Sequence, residues 1–96
     1  MAITDDVEKV IRALESEGYR VDIEQYADSV ALIASKGDLR VNILFQMEAH
    51  TLERLLLSFS DRPELTILDC EEPDKVSDCI RKLVSVLKDV SQRCET

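Results

Sequence analysis

VSDCIRKLVSVLKDVSQRC, residues 76–94, is the stretch on which the fold of this chain turns. Within it Val76, Ile80, Leu83, Leu87, Val90 and Cys94 recur at alternating steps of four and three residues. That spacing places all of them on one stripe of a helix about four to five turns long. The stripe alone reads as a coiled-coil seam. Cys79, Val84 and Val86 flank it, however, at positions where a two-stranded coil carries charge. The apolar face is too wide for a zipper and fits a helix laid on a sheet. Cys79, Val84 and Val86 are then the flank left for a second chain, and a homodimer is expected.

Working back from this helix, Glu71, Glu72, Pro73 and Asp74 open it, with a proline near the first turn. Leu65 to Leu68 reads as a short strand, and Asp61-Arg62-Pro63 breaks the element before it. Residues 47–60 satisfy either period. Leu52, Leu55, Leu56 and Phe59 fit a helix capped by Thr51, whereas Leu55, Leu57 and Phe59 fit a strand. Helical propensity from Glu48 to Leu55 tips the segment toward helix and leaves its type open.

Further upstream the period is two. Leu39, Val41, Ile43 and Phe45 alternate with Arg40, Asn42 and Gln46, and Lys36-Gly37-Asp38 supplies a tight hairpin turn before them. Val30 to Ala34 is apolar on both faces, as a central strand is. Ala27-Asp28-Ser29 is a turn, and Tyr19, Val21 and Ile23 alternate with Arg20, Asp22 and Glu24 before it. The first helix has Thr4 as N-cap, acids in its first turn, a Val7–Val10–Ile11–Leu14 stripe and Gly18 as its stop. The whole is one α+β domain over residues 1–96. It is expected to hold an antiparallel or mixed sheet, a three-stranded meander plus one or two further strands, with the N- and C-terminal helices packed on one face.

Composition narrows the partners. The chain has 96 residues and a net charge of −8, with 45% hydrophobic residues and no Trp. Such a field repels a phosphate backbone and anionic membrane surfaces, and favours proteins with basic segments. No apolar run approaches the ~20 residues that span a bilayer. The start, Met1-Ala2-Ile3-Thr4-Asp5-Asp6, has neither the basic nor the apolar region of a signal peptide, so a cytoplasmic protein is expected. Cys70, Cys79 and Cys94 are odd in number and unevenly spaced, which reads as reduced thiols without a disulfide framework.

Few residues invite chemistry. His50 is the only histidine and has no nucleophile in a recognisable arrangement with it. The densest polar cluster is Asp69-Cys70-Glu71-Glu72-Pro73-Asp74, where a strand ends and a helix begins. Asp69, Glu71, Glu72 and Asp74 are the candidate ligands for a hard cation, although their spacing matches no EF-hand. Acids that complement the helix dipole are the simpler account. The cysteines lack the close pairing of structural zinc modules, and Gly18 and Gly37 stand alone, so no phosphate loop is present. No cofactor and no catalytic residue is expected. Arg81, Lys82 and Lys88 interleave with Asp78 and Asp89 as a self-compensating polar face, with Asp78–Lys82 an i,i+4 pair.

The stretch ALESEGYRVDIEQYADSVALIASKGDLRVNILF, residues 13–45, resembles the helix–glycine–meander opening of the YbjN-like and type III secretion chaperone-like folds. The resemblance covers about a third of the chain and is one of pattern. It implies a small, acidic, non-catalytic protein that dimerises and binds other polypeptides. Those folds continue with more strand than the helical reading of residues 47–60 allows. The order of elements is also similar to double-stranded-RNA-binding domains, but Glu48 to Arg54 lacks the basic cluster these require. The functional expectation is an acidic, cytoplasmic adaptor or chaperone-like module. The alternative is a small enzyme or metal-dependent regulator built on the Asp69–Asp74 acids with His50.

Overall fold

The computed structural model describes residues 5–27, 29–48 and 51–94, with side chains up to residue 90. Thr4, Asp28, His50 and the side chain of Cys94 lie outside the described residues. Helix α1 (Asp5–Ser16) is followed by strands β1 (Arg20–Gln25), β2 (Val30–Lys36), β3 (Leu39–Glu48), β4 (Thr51–Phe59) and β5 (Leu65–Asp69), and then by helix α2 (Lys75–Cys94). The strands form one five-stranded sheet in the order β1-β2-β3-β4-β5, every neighbouring pair antiparallel.

Both helices cover the same face of this sheet. Val7, Val10 and Leu14 of α1 and Cys79, Leu83, Leu87 and Val90 of α2 share one core with Leu32, Ala34, Val41, Ile43, Phe45, Leu55, Leu57, Phe59 and Leu68. The chain enters the sheet from α1 through Gly18, at φ 90°. The Tyr19 N–H donates to Leu14 O at 3.0 Å, which closes the helix end around that left-handed residue. Gly37, at φ 62°, makes the β2–β3 turn.

The α+β expectation holds, with the sheet wholly antiparallel. The tilt of residues 47–60 toward helix is corrected: the segment is strand β4. A helix would have left Leu57 outside its stripe, yet Leu57 is fully buried and Leu56 lies on the opposite face. Pairing decided the matter. Phe59, Leu57 and Leu55 stand opposite Val41, Ile43 and Phe45, and β5 pairs along the other side. A register shift beside Gln46 and Met47 then returns Leu52 to the core side, which mimics helical spacing in the sequence.

Candidate interaction surface

The helices leave the other sheet face uncovered by any described element. Strand alternation sends Ala31, Leu44, Leu56 and Ile67 to that face, and the register sets them side by side across β2, β3, β4 and β5. Ile33 and Leu65 lie in the adjoining row, separated by Asn42 and Ser58. Leu44, Leu65 and Ile67 are 39%, 56% and 54% exposed, while Ile33 and Leu56 are half-buried by their neighbours. Contiguous exposed apolar side chains on one surface mark a place of contact more than scattered ones do. The rim is polar and mixed in sign. Arg54 pairs with Asp69 at 3.2 Å at one corner, Arg20 and Arg40 stand at the opposite end, and Asp22 and Glu24 line β1.

None of these apolar residues was singled out by the sequence. The signal was present as runs apolar on both faces: residues 30–34, 43–45, 55–57 and 65–68. A doubly apolar strand implies two apolar sheet faces, and the two amphipathic helices cover one of them.

The connection from β5 to α2 explains the acidic cluster. Asp74 caps α2, accepting from the Ser77 N–H at 3.2 Å and the Ser77 hydroxyl at 2.9 Å. Those two hydrogen bonds hold its carboxyl below the usual range. Asp69 faces Arg54, Glu71 accepts from Lys82 at 2.8 Å, and Glu72 lies 3.9 Å from Lys75. The four candidate cation ligands are thus engaged separately. Among the described residues no group of three or more His, Cys, Asp or Glu converges as a metal site.

Asp78 and Lys82 organise this corner. Asp78 is 9% exposed and accepts from the Glu71 N–H at 2.9 Å, from Lys82 at 2.9 Å and from Arg81. Lys82 also reaches Asp69 O at 2.8 Å. The hydrogen bond from Lys82, then the Glu71 N–H, hold the Asp78 carboxyl below its ordinary value. Glu71 first, then Asp78, raise the Lys82 ammonium. The i,i+4 spacing gave away the pair but not its burial.

The expectation of reduced thiols is corrected at Cys70 and Cys79, which form a disulfide with Cα atoms 4.9 Å apart. The end of β5 meets the second turn of α2 there, a proximity that a separation of nine residues does not reveal. Cys79 is fully buried and presents no surface. Val84 and Val86 are half-buried, and Val86 packs against the core.

No family model matches this chain, and no curated protein or solved structure is similar enough to align with it.

Proposed function

We propose that this chain is a non-catalytic protein-interaction module, an adaptor or chaperone-like protein, that acts as a homodimer and holds partner polypeptides on its open sheet face. The observation that carries the reading is the apolar row Ala31–Leu44–Leu56–Ile67 on a face no described element covers. The net charge of −8 favours partners with basic segments beside their apolar residues. The resemblance of residues 13–45 to polypeptide-binding folds points the same way. No described helix is long and apolar enough to cross a membrane.

The test is a comparison of retained partners. Immobilised protein is expected to retain basic polypeptides from a native lysate. Leu44→Asp should lose them without a change in unfolding midpoint, and Lys88→Glu, on the exposed side of α2, should retain them. Equal retention by Leu44→Asp would place the contact elsewhere and overturn the reading.

A further inference from the structure

We infer that two copies of this chain pair antiparallel through their β5 edges, joining two five-stranded sheets into one continuous sheet. This rests on the homodimer reading above and names the surface that makes the dimer.

The backbone fixes which groups of β5 are free to pair. The Cys70 N–H donates to Glu53 O at 2.9 Å. Residues of an antiparallel strand alternate between bonding one neighbour and turning their N–H and C=O to the other side. With the β4–β5 register, Leu68 and Thr66 bond to Leu55 and Leu57, so Leu65, Ile67 and Asp69 turn outward. The bond from Lys82 to Asp69 O, at 2.8 Å, marks the same direction independently. Leu65 and Ile67 are left with an outward donor and acceptor each, and no described strand lies beyond them.

The two sheet edges are not equivalent. β1 carries Arg20, Asp22 and Glu24 along its length, the kind of charge that keeps an edge from pairing. The only charged residue of β5 is Asp69, which Arg54 compensates, and Lys82 and Arg81 together compensate Glu71 and Asp78 beside it. On a chain of net charge −8, the β5 edge is therefore locally balanced, and a second copy meets little repulsion there.

The edge is also self-complementary in one register. With Thr66 on the two-fold axis, Leu65 stands opposite the partner's Ile67, and each pair exchanges both backbone bonds. Every outward group of Leu65 and Ile67 is then satisfied. Sliding to place Ile67 opposite the partner's Ile67 would set Leu65 against the partner's Asp69, whose carbonyl Lys82 already holds. The favoured register continues the Leu44–Leu56–Ile67 row into the second copy and leaves the open face free for a partner polypeptide.

Sedimentation equilibrium and engineered cross-linking test this. Wild type is expected to be a dimer, and Ile67→Lys should weaken self-association by about tenfold or more. Ile67 is 54% exposed in the single chain, so that variant should still fold, with a midpoint lower only by the stability that association adds. Leu44→Asp, on the open face, should remain dimeric. Thr66→Cys should form an intermolecular disulfide on mild oxidation that wild type does not form, a readout that survives if Ile67→Lys fails to fold. A dimer that persists in Ile67→Lys, with no Thr66→Cys cross-link, overturns the edge pairing and leaves the homodimer reading standing. A monomeric wild type overturns both.

Discussion

Lys82 shows how much of this molecule rests on single polar side chains. Its ammonium spans the Asp69 carbonyl, Glu71 and Asp78, and so ties the last strand to the last helix. The pH dependence follows from the sign of each shift. The Asp78 carboxyl is depressed in the folded protein, so its contribution is full above the usual carboxylate pKa of about 4 and is lost as pH falls through the folded value. The Lys82 ammonium is raised, so its contribution is full below its ordinary pKa of about 10 and is lost as pH rises through the folded value. Asp78→Asn should therefore lower the urea midpoint at neutral pH, and the gap from wild type should close as both are acidified from about pH 5 to pH 2. Asp74, also depressed, contributes to the acid limb of both proteins, so the difference isolates Asp78. A gap that stays constant with pH would contradict this role. The i,i+4 relation of Asp78 and Lys82 was legible in the sequence. The Glu71 N–H and the Asp69 carbonyl were not, because they arrive from the preceding strand and loop only in the fold. Cys70 and Cys79 failed to declare themselves for the same reason.

At the level of elements, period and punctuation carried most of the reading. The meander of β1, β2 and β3, the stop at Gly18 and the stripe of α2 lie where alternation, turn residues and 3.6-residue spacing put them. β4 was hidden because its register shift sets Leu52 and Leu55 on one face, a spacing of three that imitates a helix, while Glu48, Glu53 and Arg54 weight the segment toward helical propensity. Cross-strand pairing on both sides outweighs that weak local preference. The width of the apolar face of α2 is accounted for mainly by the core and α1. Leu83, at its centre, is fully buried in the core shared with the sheet. Leu83→Ala should cost about 2–5 kcal/mol of unfolding free energy, because the cavity it leaves can collapse only partly. The loss should appear in denaturant titrations of the Ile67→Lys background, where self-association is weakened. A mutant that keeps its stability there and loses only association would show the stripe to be an intermolecular seam.

For the whole molecule the decisive property is asymmetry: one sheet face is covered by both helices, with Ile23 on the β1 edge left 40% exposed, and the other carries an apolar row with a balanced charged rim. The sequence displayed the ingredients, since the strands are apolar on both faces and the helices supply only two amphipathic stripes. Which face stays bare, and which residues share it, depended on the register. The most direct measurement is the broadening of assigned methyl signals by a soluble paramagnetic reagent. Methyls of Leu44, Leu65 and Ile67 should broaden strongly, while those of Leu55, Leu57, Leu83 and Leu87 should not. Shielded Leu44 and Ile67 methyls, or a broadened Leu57, would contradict an open face on this sheet and the function built on it.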